Sequence, residues 1–205
     1  QPETKVTGMT DTQKSYSSFE SILNTLRASL ESSEGDVVFV GIDGFGASGK
    51  STLADHLAAE ISDCSIVRID DFGDWSPHLD WSSSTFPEQV VERLRSRKSI
   101  RQTRYDWNTD TMGDWFEISP ADVVIVEGIS ALRRDLRDFW NLSVWVDCPS
   151  ETRIERGIWR DGEHMRHKWI YEWMPGEKRY SEEHSPKEFA DFVFDGSCRQ
   201  SEISI

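Results

Sequence analysis

Cysteine is scarce in this chain, and its placement excludes the usual roles of paired cysteines. The 205 residues include only Cys64, Cys148 and Cys198, an odd number without a Cys-x-x-Cys spacing. A disulfide framework or a thiolate zinc site needs closer, paired cysteines. Cys148 follows the apolar run 144–146, which favours a buried inert thiol, and all three cysteines fit a reducing cytoplasm.

Long apolar runs are also missing. No run approaches the roughly 18 residues that a bilayer-spanning helix needs. Residues 1–10 lack the charged start and apolar middle of a signal peptide, and we interpret them as either a cloning remnant joined at Gly8-Met9 or a disordered N-terminus. Residues 11–205 are then expected to form a single cytoplasmic domain of ordinary size.

Positive charge is in deficit. The chain has 37 acidic and 23 basic residues, a net charge of −14 that disfavours nucleic acid and anionic membranes as partners. Basic residues are concentrated only in 153–168, a cluster that also suits nucleotide phosphates. The histidines show no metal-ligand spacing with carboxylates and are interpreted as structural or exposed: His56, His78, His164, His167 and His184.

A phosphate-binding motif stands out in what the chain does contain. Residues 44–51 fit Gly-x-x-x-x-Gly-Lys-Ser/Thr at every fixed position, between the apolar run 37–42 and a helical pattern from 51 to about 61. Glycines in such a loop let backbone N–H groups curl around phosphate oxygens. Lys50 would reach the β- and γ-phosphates of a nucleotide, Ser51 would ligate Mg²⁺, and the helix N-terminus adds a positive dipole.

Strands and helices alternate along the chain. Buried strands are predicted at 37–42, 122–128 and 142–147 and further strands at 65–69 and 192–194. Helices are predicted at 11–33, 51–61, 86–98, 131–140, 151–173 and 177–183, with a further turn at Pro186. We expect Pro175-Gly176 to break the helical segment, and 100–107 to pair with 115–118 as an edge hairpin. This pattern predicts an α/β fold, with a mainly parallel sheet between two layers of helices and the ligand at the carboxyl ends of the strands.

Acidic residues follow two of these strands. Asp70 and Asp71 end the second strand, where a carboxylate can accept the proton of an attacking hydroxyl; the alternative is an acidic pair that caps the next turn. Glu127 ends another buried strand and could hold Mg²⁺ directly or through water, since Ser51 supplies only one oxygen. The sheet edge would gather these groups beside the loop.

Three arginines and a group of tryptophans remain. Arg153, Arg156 and Arg160 fall on one face of a helix, where they either close over a phosphate or form a solvated face paired with Glu151, Glu155 and Asp161. Tryptophans in the middle of the chain either stack on a planar substrate or form the core of the hairpin: Trp75, Trp81, Trp107 and Trp115.

Taken together, these motifs resemble the uridine kinase and phosphoribulokinase family of P-loop kinases over about residues 36–196. Four segments carry the resemblance: 44–51, Asp70-Asp71-Phe72, Tyr105-Asp106-Trp107 and 153–161. The resemblance implies a P-loop NTPase-type three-layer domain with an edge substrate-binding hairpin and an arginine-rich lid at about 151–175. It also implies ATP and Mg²⁺ as cofactors and a nucleotide and a small-molecule acceptor as partners, with a homo-oligomer allowed.

The resemblance assigns roles residue by residue. Asp70 corresponds to the catalytic base, with Lys50 and Arg160 as further catalytic groups, and the metal would be held by Ser51, Glu127 and Asp70. Nucleotide-binding residues are Gly44, Gly46, Ala47, Ser48, Gly49, Lys50, Ser51, Thr52, Arg156 and Arg160. Acceptor-binding residues are Asp80, Tyr105, Trp107, Asp110 and Arg153.

Departures from the family affect the acceptor. Asp110 stands where uridine and cytidine kinases have a base-reading histidine, and Asp80 matches the family's sugar-binding acid only loosely. The predicted function is phosphoryl transfer to a hydroxyl, with a nucleoside as the first acceptor and pantothenate, nicotinamide riboside or a sugar as alternatives. A nucleotide-dependent switch is the rival from another class, although the guanine-reading and ABC signature motifs are missing.

Overall fold

The computed structural model describes residues 14–72, 87–106 and 111–197. The strands in this part of the chain are β1 (Val38–Asp43), β2 (Cys64–Arg68), β3 (Ile100–Asp106), β4 (Thr111–Ile118), β5 (Val123–Glu127), β6 (Leu142–Asp147) and β7 (Phe192–Asp195). The helices are α1 (Phe19–Ser32), α2 (Lys50–Ala59), α3 (Glu92–Arg95), α4 (Ser150–Asp161), α5 (Arg166–Lys168), α6 (Met174–His184) and α7 (Pro186–Phe189).

Five strands form one parallel sheet in the order β2-β5-β1-β6-β7. Strand β1 is central and all six of its residues are buried, as its unbroken apolar sequence predicts for a strand covered on both faces. After β1 the chain crosses to β2 at one edge of the sheet, and after β5 it crosses to β6 and β7 on the other side of β1. The carboxyl ends of β1 and β5 therefore flank the switch point at which open α/β sheets bind ligands.

Alternate residues of each strand point to opposite faces of the sheet, and each face has its own hydrophobic core. On one face, Val40 and Ile42 of β1 pack with residues of α1 and α2, including Ile22 and Leu53. On the other, Phe39 packs with α3 and the β3–β4 hairpin, and a neighbouring cluster joins Trp145 of β6 to Tyr180 of α6. The predicted three-layer α/β/α fold is confirmed.

The edge hairpin is also confirmed. Strands β3 and β4 pair antiparallel, with a register shift between Thr103 and Tyr105. The base of the hairpin packs into the core that contains Phe39, where Ile100 and Ile118 are buried. Phe116 of β4 meets Phe72 edge to face, with ring centroids 5.9 Å apart, so the hairpin is docked on the segment that follows β2.

The predicted break at Pro175-Gly176 is wrong. Helix α4 ends instead at Gly162, whose φ of 96° is unfavourable for a residue with a Cβ. The chain then runs as a 3-10 turn (Glu163–Met165), α5 and a π-helical turn (Trp169–Trp173) directly into α6. Pro175 lies just after this π-helical turn, and the helical run continues through it into α6.

Two further boundaries differ from the sequence prediction. The segment predicted as a helix over 131–140 forms a 3-10 helix only at Arg134–Phe139. The leading helix begins at Phe19, because the Ser18 hydroxyl accepts the N–H of Ser21 and caps it there. Within the described ranges, none of the helices has the length and apolar character that a membrane span requires.

Candidate active site

The phosphate loop joins the carboxyl end of β1 to α2 and is closely packed from behind. A Cβ on Gly44 would lie 2.4 Å from the carbonyl oxygen of Val146, so only glycine fits beside β6. Ala47 has a φ of 58°, which turns the loop through the left-handed region. The tight backbone follows from the motif, since a loop that encloses phosphate needs such turns.

Helix α2 starts at Lys50 and has no side-chain cap. Its N-cap residue, Gly49, supplies no side-chain acceptor for the free N–H groups of the first turn, which contains Ser51 and Thr52. Lys50 is buried, and its ammonium donates to the carbonyl oxygen of Phe45 at 3.0 Å within the same loop. Uncapped N–H groups and an adjacent ammonium form a site suited to an anion.

Ser51 and Glu127 meet beside the start of α2. The Ser51 hydroxyl donates to Glu127 Oε1 at 2.9 Å, and the Glu127 side chain is buried at the end of β5. Arg68, at the end of β2, bridges this carboxylate at 2.8 Å and Asp55 at 2.6 Å. The sequence prediction did not use Arg68; a single charged residue within the apolar pattern of 65–69 was the available signal.

Asp70 lies in the 3-10 turn Ile69–Phe72, which starts as β2 ends. Its side chain is open to solvent in the cleft, yet the dense protein around it hinders solvation of the charge and raises its pKa. The charge of Lys50 opposes this rise, Glu127 adds to it, and Arg160 opposes it. Side chains from three other elements, Lys50, Glu127 and Arg160, thus influence the pKa of Asp70.

Asp71, the residue after Asp70, is paired with an arginine of the hairpin. Arg104 on β3 contacts it, with 3.0 Å between Nε and Oδ1. The guanidinium of Arg104 also stacks on Phe116, 5.2 Å from the ring centroid. Asp71 therefore fastens the hairpin to the turn that presents Asp70.

The three arginines of α4 have three different environments. Arg153 is buried under the loop, where it pairs with Glu177 and donates to the carbonyl oxygen of Gly46. Arg156 donates to the carbonyl oxygens of Gly196 and Ser197 beyond β7, at 2.6 and 3.0 Å. Arg160 is exposed and pairs with Asp161, while its charge reaches Asp70. Only Arg160 is thus placed towards the predicted base.

A buried carboxylate that the sequence prediction did not use lies directly before the loop. Asp43 ends β1 and accepts the N–H groups of Gly44 at 2.6 Å and Leu132 at 2.8 Å. It also accepts the hydroxyl of Tyr180 on α6 at 2.5 Å. Burial raises the pKa of Asp43 to about 6, although these donors and Lys50 favour the charged form.

The raised pKa of Asp43 predicts a pH-dependent stability. Between the ordinary pKa of 3.8 and about 6, the folded protein retains a proton that the unfolded chain has lost, so the free energy of unfolding falls as pH rises. The full change is about 3 kcal/mol. Urea unfolding of wild type and Asp43→Asn at several pH values between about 4 and 7 isolates it, because the variant cannot titrate there. A difference between the two proteins that is constant with pH would refute the assignment.

The acceptor-binding residues are described only in part. Arg153 lies under the loop, and Tyr105 contributes its backbone to β3 opposite Met112. Asp80, Trp107 and Asp110 lie outside the described residues, and their assignment stays a prediction. Trp115 is exposed on β4 with Arg101 stacked on it, so this tryptophan is not part of a hairpin core.

The described residues fit both cofactors that the resemblance implies. An uncapped helix N-terminus with a buried lysine suits the phosphates of ATP. Ser51 and Glu127 present oxygen ligands, which Mg²⁺ prefers. The described part of the chain has no group of three or more histidines, cysteines and acids that could hold a metal. Mg²⁺ would then depend on phosphate oxygens for its remaining ligands.

Comparison with protein families supports the resemblance. The model of the Phosphoribulokinase / Uridine kinase family matches residues 83–168, which include the hairpin and the whole of the arginine-rich helix α4. The uridine kinase of Borrelia duttonii is 26% identical over 139 residues, which cover 61% of this chain and 68% of the relative. That of Lactobacillus helveticus is 28% identical over 142 residues, which cover 60% and 67%.

Solved structures share the fold. The structure of a possible uridine kinase from Bacillus stearothermophilus superimposes with a TM-score of 0.63 at 23% identity, covering 86% of this chain and 98% of the other. A candidate fructose transport system kinase from Silicibacter sp. TM1040 gives a TM-score of 0.69 at 19% identity, covering 87% and 99%. The chain therefore has the P-loop kinase fold, and its predicted resemblance to the phosphoribulokinase and uridine kinase family is confirmed.

Proposed function

We propose that the protein is an ATP- and Mg²⁺-dependent kinase that phosphorylates a hydroxyl of a small molecule, with a nucleoside as its first candidate acceptor. The observation that carries the proposal is the convergence of Lys50, Glu127 and Arg160 on the charge of Asp70, beside the uncapped start of α2. Phosphoryl transfer needs this combination of a base, cations and a metal-binding acid.

The proposed roles follow from the placement of each group. Lys50 and the N–H groups of the loop hold the β- and γ-phosphates, while Ser51 and Glu127 hold Mg²⁺, which offsets phosphate charge. Asp70 orients the acceptor hydroxyl and takes its proton as the new P–O bond forms and the bond to ADP breaks. Arg160, on the exposed end of α4, approaches the transferred group.

A nucleoside is the favoured acceptor because uridine kinases are among the relatives in sequence, and the family match includes the hairpin. The hairpin stands beside Asp70, tied to its turn through Asp71 and Arg104. A planar base could lie against its aromatic side chains while the sugar hydroxyl meets Asp70. Asp110 in place of a base-reading histidine argues against uracil specificity of the usual kind.

Glu127→Gln should raise the Mg²⁺ concentration that gives half-maximal activity by about tenfold. The amide can still accept the Ser51 hydroxyl, but it lacks the negative charge that a divalent cation needs. Activity is measured against total Mg²⁺ at fixed ATP. Glu60→Gln serves as the matched control, because Glu60 forms only an exposed pair with Arg27 at the end of α2. An unchanged Mg²⁺ requirement in Glu127→Gln would remove Glu127 from the metal site.

A panel of acceptors tests the proposal as a whole. Purified protein with ATP and Mg²⁺ is offered nucleosides, nicotinamide riboside, pantothenate and sugars, and ADP release is followed for each. We expect release to depend on the acceptor and to be fastest with a nucleoside. If ADP release were fastest with another alcohol, the protein would still be a kinase, but with that alcohol as its acceptor. Release that is indifferent to every compound would favour a nucleotide-dependent switch.

A further inference from the structure

A buried ion pair lies directly behind the phosphate loop. Glu177 of α6 and Arg153 of α4 are joined by 2.9 Å between Oε2 and Nη1, and their side chains are only 3% and 5% exposed. Charged groups so deeply buried are rarely kept without strong partners. Removing either residue alone would leave the charge of the other buried without its partner.

The pair holds the two peptide groups of the loop that flank the Cα of Gly46. Glu177 Oε1 accepts the N–H of Gly46 at 2.5 Å, and Arg153 Nη1 donates to the carbonyl oxygen of Gly46 at 3.2 Å. The Arg153 guanidinium also lies 4.9 Å from the centroid of the Phe45 ring. The backbone on either side of Gly46 is therefore fixed before any ligand arrives.

This fixation acts at the turn of the loop. The next residue, Ala47, has a φ of 58°, a conformation that is unfavourable for a residue with a Cβ and needs support from its surroundings. The Gly46 N–H is engaged by Glu177 and the Ser48 N–H by the carbonyl oxygen of Phe45, so the uncapped N–H groups at the start of α2 are left to face a phosphate. Arg153 also offsets the negative charge of Glu177, which would otherwise repel an anion nearby.

The same helix is attached to the loop at a second point. Tyr180, one turn beyond Glu177 on α6, donates to Asp43 immediately before the loop. Trp169 packs against Gly157 of α4 and donates to Asp161, the partner of Arg160. Helices α4 and α6 are thus both packed against the loop and the residue before it.

We propose that Glu177 and Arg153 are positioning residues that preset the phosphate loop for nucleotide binding by fixing the two peptide groups that flank Gly46. This rests on the proposed function only in that the loop binds a nucleotide. It assigns Arg153 to the loop rather than to the acceptor. It also gives Glu177, which no motif singled out, a part in the affinity for ATP and ADP.

The decisive variant replaces both partners, Glu177→Leu together with Arg153→Met. Swapping a buried pair for apolar side chains of similar size usually preserves folding, whereas removing one partner does not. The fold should survive in this variant, as judged by its melting temperature, but its Kd for ADP should rise about tenfold because the loop loses its charge-assisted hydrogen bonds. The KM of the acceptor should not change. Glu182→Gln is the matched control, an exposed acid on α6 that contacts Lys178 at 3.7 Å.

A second measurement uses the unaltered protein. Hydrogen exchange of nucleotide-free wild type should show a protected Gly46 amide, because that N–H is bound to a buried carboxylate. Rapid exchange at Gly46, or a folded double variant with wild-type affinity for ADP, would overturn the proposal. The affinity is read by titration with ADP, so a protein that binds ADP without phosphorylating any acceptor would refute the kinase function and leave this proposal standing.

Discussion

Asp70→Asn should lower kcat by about 10²- to 10⁴-fold, the usual contribution of a general base. The amide keeps the size of the carboxylate but cannot accept the proton of the acceptor hydroxyl. ATP binding should be spared, because the loop and Lys50 hold the phosphates on another element. The measurement is kcat at saturating ATP and acceptor, together with the Kd of ATP by titration. Unchanged turnover would remove Asp70 as the base.

Asp71→Asn is the matched control for this variant. Asp71 is the adjacent residue, and its carboxylate is engaged by Arg104 of the hairpin. Its loss should alter the KM of the acceptor more than kcat. The pH profile adds an independent check: the protein around Asp70 raises its pKa, so wild-type kcat should fall as pH drops through that raised pKa. The residual activity of Asp70→Asn should not show this fall.

Lys50→Ala should weaken ATP binding by about tenfold or more and lower kcat by about 10²-fold. The buried ammonium donates to the Phe45 carbonyl, and Lys50 is the first residue of α2. Truncation removes the only side-chain cation of the loop itself. Both constants should change, because the charge contacts phosphate before and during transfer. ATP titration and steady-state rates give them separately.

Lys178→Ala controls for the loss of a lysine in general. Lys178 is exposed on α6 and contacts Glu182 at 3.7 Å, a surface pair of little energetic value. Its removal should leave the ATP affinity and kcat at wild-type values. Wild-type ATP affinity in Lys50→Ala would instead refute the assignment of residues 44–51 as the phosphate loop.

The sequence was sufficient wherever one local pattern decides the structure. Continuous apolar runs identified β1, β5 and β6, because strands buried on both faces have no polar face. The fixed spacing of residues 44–51 located the turn before α2. The edge hairpin was also predicted, although its register shift between Thr103 and Tyr105 was not.

The remaining features depend on contacts distant in sequence. Glu177 lies 131 positions from Gly46, and nothing in its helical surroundings marks it as buried. Arg153 shares a helix face with Arg160, yet tertiary packing buries the first and exposes the second. The sequence did contain a signal for Asp43, because this carboxylate ends a buried strand as Glu127 does. Its role in fixing the loop needed the position of Tyr180.

The end of α4 was predicted at the wrong residue. The helical run from α5 continues through Pro175, which lies just after the π-helical turn Trp169–Trp173. Helix α4 ends before Gly162, whose φ of 96° is unfavourable for a residue with a Cβ. The position of Arg160, close to that end, follows from this boundary and could not be read from composition.

The fate of the γ-phosphate tests the central claim most directly. The protein is incubated with ATP labelled at the γ-phosphate, Mg²⁺ and the best acceptor of the panel, and the labelled products are separated. We predict that wild type moves the label to the acceptor as a phosphomonoester, with one ADP formed for each, and that Asp70→Asn does so far more slowly. Label that appears only as inorganic phosphate, at a rate independent of the acceptor, would contradict a kinase at this site.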